Sequence, residues 1–228
     1  MATKVTVIIP SLEYVRPEIP RKILEQLQRH SERTAKVHWI NNNATHPFRG
    51  MLAEFPKVLD DDSQPNLFIN PAWNYGMSKV ETEYWALLND DILFHGGVLD
   101  GICDMLDNRK DIGLTTCRTQ IMYDFRDINW WLDGNPLQLP LTWELKNPWK
   151  SGWFMVGRTE DWIPCPLGEK LDLFHGDDHI YECAFKKYGH AAMVNNNTLL
   201  HAESTTTRTI QERREFMASI SKEGRCGS

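Results

Sequence analysis

Apolar and polar positions along this chain fall into strand-like runs separated by helical stretches. Residues 4–10 (KVTVIIP) are β-branched and carry no charge after Lys4, the pattern of a strand covered on both faces in a parallel sheet. Residues 20–34 place Ile23, Leu24 and Leu27 on one face among Arg, Lys, Glu and Gln, which predicts an amphipathic helix with Pro20 in its first turn. A second strand over 36–40 stops at Asn41, Asn42 and Asn43. Strand, helix and strand in this order make a βαβ unit, whose crossover is right-handed in ~98% of cases.

The pattern continues less cleanly. Short strands are predicted at 66–69, 83–88 (EYWALL) and 112–117, with helices at 71–79 and 98–106, the latter through Val98, Leu99, Ile102, Met105 and Leu106. Beyond residue 118 the character changes. Residues 123–149 combine Trp130, Trp131, Trp143 and Trp149 with three prolines and weak periodicity, as in a loop-rich region with short antiparallel strands. A strand at 152–157 (GWFMVG), a helix at 177–187 stopped by Gly189, a strand at 191–194 and a basic amphipathic helix at 209–222 with Ile210, Phe216, Met217 and Ile220 complete the reading. The fold class is α/β: a mostly parallel central sheet, Rossmann-like over about 1–117, followed by a smaller mixed half over about 118–228.

Composition narrows the class. At 228 residues the chain is expected to form a single domain that needs no metal or disulfide to fold. Five widely spaced cysteines without a CxxC pair point to reduced thiols and a cytoplasmic setting. No apolar run approaches the ~18 residues of a membrane span, and residues 1–4 lead directly into a strand rather than a signal segment. With 25 Lys+Arg against 31 Asp+Glu, the net charge of −6 argues against a generic nucleic-acid coat. There is no G-x-S-x-G elbow and no P-loop lysine.

Three features carry candidate chemistry. Asn89, Asp90 and Asp91 follow a buried apolar strand, and in open α/β sheets ligands bind beyond the carboxyl ends of strands. An ionised carboxylate beside apolar packing is costly unless paired or metal-bound, and hard oxygen donors there suit Mg²⁺ or Mn²⁺. A capped turn is the alternative. Asp177 and Asp178, in HGDDH at the mouth of a helix, are placed to stay ionised near the helix N-terminus, as a general base must; simple N-capping is the alternative. His201 follows an apolar stretch, where a hydrogen-bonded structural histidine is the usual case and pairing with Asp91 would make it a metal ligand.

The succession KVTVIIPSL, INNNAT, NPAWNYG, YWALLNDD, GWFMVGR, HGDDHIYECAFKKYGH and LLH resembles the motif order of family 2 glycosyltransferases of the GT-A fold over about residues 4 to 201. The resemblance implies inverting transfer of a sugar from a nucleotide diphosphate donor with Mn²⁺ or Mg²⁺. It assigns Pro10, Ser11 and Leu12 to the nucleotide site, together with Asn41, which stands where the family has an acid reading the base, and Asn74 and Gly76 of the Asn-x-Gly segment. Asn89, Asp90 and Asp91 take the Asp-x-Asp position, with Asn89 replacing the first acid. Asp91 and His201 become metal ligands, and Asp178 the catalytic base with Asp177 beside it. Trp153 is the tryptophan best placed to touch donor sugar or acceptor, although core packing accounts for most tryptophans.

The acceptor stays open between a soluble glycan, a protein and a modified pyrimidine in DNA. The DNA case draws on Arg16, Arg21, Lys22, Arg208, Arg213, Arg214, Lys222 and Arg225 as a phosphate-binding face. The Asn41 and Asn89 replacements motivate an alternative, a non-catalytic nucleotide-sugar or glycan binding module. A metal-dependent phosphohydrolase is a third reading.

Overall fold

The uncharged run at the start of the chain forms the strand Val5–Ser11 (β1), buried at every position, as a strand covered on both faces must be. Side chains alternate across it: Val5, Val7 and Ile9 enter one apolar core and Ile8 the other. The same split recurs in Tyr84–Leu88 (β4), where Ala86 and Leu88 face one core and Trp85 and Leu87 the second. The helices Glu18–His30 (α1) and Gly97–Asn108 (α4) cover the first face; Asn70–Met77 (α3) and Gly176–Tyr188 (α5) cover the second. A short helix, Arg49–Leu52 (α2), precedes the edge strand Val58–Asp61 (β3). This computed structural model describes residues 4–11, 17–43, 45–62, 66–122, 137–146, 152–168 and 175–202.

The remaining strands are Thr34–Asn41 (β2), Ile92–Phe94 (β5), Leu114–Met122 (β6), Trp143–Lys146 (β7), Phe154–Arg158 (β8) and Ala191–Ala202 (β9). They order the sheet β3-β2-β1-β4-β8-β6-β9-β5, with β7 paired to the first part of β9. Strands β3, β2, β1 and β4 are mutually parallel, β8 runs antiparallel to both β4 and β6, and β9 is parallel to β6. The result is the expected α/β architecture with a largely parallel sheet. Among the described residues no helix is long and apolar enough to cross a membrane.

Several expectations change. Residues 66–68 form no strand, because their backbone is held by the Asn42 side chain, which accepts from Leu67 N at 2.9 Å and donates to Phe68 O at 3.2 Å. The strand of this region is β3, whose VLDD sequence is partly exposed and acidic, as edge strands often are. Strand β9 does not stop at Val194 but crosses Asn195, Asn196 and Asn197 to Ala202, which puts His201 on the strand itself. Gly189 does end its helix, in the left-handed region at φ 75°. The helix expected at 209–222, and Trp130, Trp131 and Trp149, lie outside the described residues.

One buried cation ties the sheet to α4. Arg158 donates through Nε to Ile112 O (3.0 Å) and through Nη2 to Leu106 O (2.6 Å) and Arg109 O (3.1 Å), satisfying carbonyls in the last turn of that helix, at its cap and in the loop that follows. Arg158→Met would leave these acceptors without their donor, at a cost of about 3 kcal/mol. In a chain of this size that lowers the melting temperature by roughly 6–12 °C. Thermal unfolding checks it; an unchanged melting point would contradict the role.

Candidate functional site

The pairing pattern brings distant segments to one edge of the sheet. The carboxyl ends of β1, β2 and β4 lie there because these strands are parallel. The antiparallel pairing of β8, with Phe154 opposite Leu88, brings Trp153 to the same edge, where its carbonyl accepts from Asn89 N at 3.0 Å. The carboxyl end of β9 arrives there as well, with His201 opposite Ile92. Chain order reverses between β1 and β4, the place where open α/β sheets leave a ligand crevice. Across it, Ser11 Oγ donates to Asp90 Oδ2 at 2.5 Å, both residues being buried.

Asp91 and His201 meet directly. Asp91 Oδ1 lies 3.3 Å from His201 Nε2, with side chains 8% and 5% exposed, yet the contact does not satisfy hydrogen-bond geometry. Asp91 Oδ1 and His201 Nδ1 are both buried without a hydrogen-bond partner. The indole of Trp153 stacks on the imidazole at 4.1 Å and 17°, fixing its plane. A buried carboxylate and imidazole left short of partners is a costly arrangement, and an oxygen-plus-nitrogen donor pair is suited to Mn²⁺ or Mg²⁺. No cluster of three His, Cys, Asp or Glu suited to a metal occurs among the described residues. Mn²⁺ and Mg²⁺ take few protein ligands and complete their shell with phosphate oxygens and water.

The first turn of α5 reaches this edge through Gly152. A Cβ at Gly152 would lie 3.0 Å from both Cβ and Oδ2 of Asp177, tighter than ordinary contact, so the absence of a side chain there eases the approach. Asp177, Gly152, Trp153, His201 and Asp91 thus form an unbroken run of neighbours. Asp177 Oδ1 accepts from Asp178 N at 2.9 Å, capping the turn, and burial pushes its carboxyl above the usual range. Asp178, one position on, directs Oδ2 at His175 Nδ1 at 3.0 Å.

A raised carboxyl pKa means the folded state binds protons more readily than the unfolded one, so its contribution to stability falls as pH rises through the folded value. Asp177→Asn keeps the capping oxygen and removes the charge. Its melting temperature is expected to exceed that of the wild type at pH 7, with the gap closing as pH falls into the carboxyl range. A lower melting point at pH 7 would contradict the burial argument.

The other sequence candidates lie nearby with different engagements. Asn41 is buried at the end of β2, its amide closed on Asn43 by bonds of 2.8 Å to N and O. Asn74 clamps the Cys165 backbone at 2.9 and 2.8 Å. Gly76 lets α3 sit against β1, since a Cβ there would lie 2.5 Å from Ile8 Cγ2. Pro10 is buried in β1, and Leu12 lies outside the described residues. Of the basic residues considered for a phosphate face, Arg21 is paired with Glu54 and Lys22 with Glu25. The Cys165 thiol, pushed up to about 12 by burial, is protonated at neutral pH and no nucleophile. Sequence reasoning gave no role to His175, Gly152 or the Ser11 to Asp90 link.

No family model matches the chain, and no curated protein does. Solved structures do. TarS of S. aureus, residues 1–349, matches with a TM-score of 0.63 at 10% identity, over 87% of this chain and 60% of that one. The same fragment in complex with UDP-GlcNAc gives 0.64 at 12% identity, over 88% and 61%. Glucosyl-3-phosphoglycerate synthase from Mycobacterium tuberculosis, in complex with Mn²⁺, UDP and glucosyl-3-phosphoglycerate, gives 0.58 at 12% identity, over 87% and 72%. The chain has a GT-A-like glycosyltransferase fold. It spans about three fifths of the TarS fragment. Within this GT-A-like frame, the edge that gathers Ser11, Asp90, Asp91, Trp153, Asp177 and His201 is the candidate site.

Proposed function

We propose that this chain is an inverting, metal-dependent glycosyltransferase that moves a sugar from a nucleotide diphosphate sugar to an acceptor hydroxyl. One observation carries the reading: the buried Asp91–His201 pair, short of hydrogen-bond partners, at the edge of a GT-A-like sheet where its parallel strands end. The donor is proposed as a UDP-sugar, since TarS is similar in fold and was solved with UDP-GlcNAc, and the mycobacterial synthase with UDP and Mn²⁺.

Asp91 and His201 would hold the cation, which when bound supplies Lewis acidity to the leaving diphosphate. Trp153 keeps the His201 ring in one plane. Ser11 and Asp90 fix the ends of β1 and β4 on either side of the crevice. Asp178 takes the proton of the acceptor hydroxyl at a carboxylate oxygen while the acceptor oxygen bonds to the anomeric carbon. The electron pair of the breaking bond leaves on the diphosphate, and a single displacement inverts the carbon. The N-terminal half, to about residue 117, is assigned to the nucleotide and the remainder to the acceptor.

Water can serve as a probe acceptor. Incubation with UDP-α-glucose and UDP-α-GlcNAc in Mn²⁺ is expected to release UDP, with the β-anomer of the sugar appearing first by proton NMR. First appearance of the α-anomer would contradict inversion, and release of UMP with sugar phosphate would favour a phosphohydrolase.

A further inference from the structure

We infer that His175 is a positioning residue that aims the Asp178 carboxylate, an inference that rests on Asp178 being the catalytic base. The imidazole Nδ1 lies 3.0 Å from Asp178 Oδ2. A carboxylate only accepts, so with Asp178 ionised the Nδ1 carries the hydrogen and donates it. Nδ1–H is thereby the tautomer set by this contact. The ring is 63% exposed, so its effect is directional rather than one of burial, holding one carboxylate oxygen in place.

The backbone supports a role beyond starting the helix. His175 occupies the N-cap of α5 at φ 65°, ψ 5°, a left-handed conformation, and makes no side-chain hydrogen bond as a cap. Ser, Thr, Asp, Asn or Gly would serve better as the N-cap, and glycine or asparagine better at this φ. A histidine is therefore a poor N-cap, although it enters the left-handed region more readily than most residues. What it does supply is a ring over the first turn, with its nitrogen on the carboxylate three residues along. A non-glycine residue held in the left-handed region, making no capping bond, beside a proposed base is a reason to look for function there.

The substitutions separate this role from a structural one. His175→Gly accepts the left-handed backbone without a Cβ and deletes the ring; His175→Asn also tolerates it and places an amide nitrogen, bonded to Cγ, where Nδ1 sits. With UDP-glucose and UDP-GlcNAc as donors and water as acceptor, His175→Gly is expected to lower kcat about tenfold through misaimed base geometry. The donor KM and melting temperature should not worsen, and His175→Asn should recover most of the loss. In an Asp178→Asn background, His175→Gly should add no further loss. Full kcat in His175→Gly alongside an inactive Asp178→Asn would overturn the inference and leave the proposed function standing. Equal losses in both backgrounds would also overturn it, since the ring would then act elsewhere. Full activity of Asp178→Asn would remove the base assignment and this inference together, as would absence of UDP release by the wild type with both donors.

Discussion

Asp178→Asn is expected to bind UDP with Mn²⁺ as the wild type does while turnover of a UDP-sugar falls by about 10²- to 10⁴-fold, the usual contribution of a positioned general base. The substitution is close to isosteric. The Asp178 backbone N–H still bonds Asp177 Oδ1, so the first turn of α5 is kept, and the amide oxygen can still face His175 Nδ1. What disappears is the ability to take a proton at neutral pH. A variant that loses binding and turnover together would indicate damage to the helix end. One that keeps full turnover would remove Asp178 from the chemistry; steady-state kinetics beside UDP titration reads both.

Asp91→Asn is expected to weaken Mn²⁺-dependent UDP binding by 100-fold or more, about 2.7 kcal/mol. Its carboxylate brings the only formal negative charge to the pair with His201, and an amide is a poor substitute for a hard anionic ligand. The same change is expected to raise the melting temperature of the metal-free protein, because Asp91 Oδ1 is buried without a hydrogen-bond partner and a charge there is costly to desolvate. Opposite signs for stability and binding are the mark of a residue kept for function. If Asp91→Asn destabilises the metal-free protein and leaves UDP binding intact, the residue is structural and the cation assignment fails.

How far the sequence was legible depends on how strongly each segment stated its environment. Strands β1 and β4 are buried on both faces and uncharged, so they read directly. Strand β3 carries two acids on an edge, and β5 is three residues long; neither leaves a periodic trace. The run Asn195, Asn196, Asn197 looks like a stop, but β9 continues through it because β6 pairs along its length on one side and β7 and β5 share the other. Asp91 and His201 could be picked by residue type, whereas their 3.3 Å approach comes from the pairing of β5 with β9. The left-handed turn at His175 is a backbone property that no composition or periodicity signals.

The most direct test of the account is the melting temperature with UDP, measured in Mn²⁺ and again in excess EDTA. A ligand at 100 times its dissociation constant stabilises the native state by about 2.7 kcal/mol, which for a chain of this size is a rise of roughly 5–10 °C. The expected result is that rise in Mn²⁺ and little or none in EDTA. An equal shift in both conditions, or no shift in either, would contradict a shared cation and diphosphate site at Asp91 and His201.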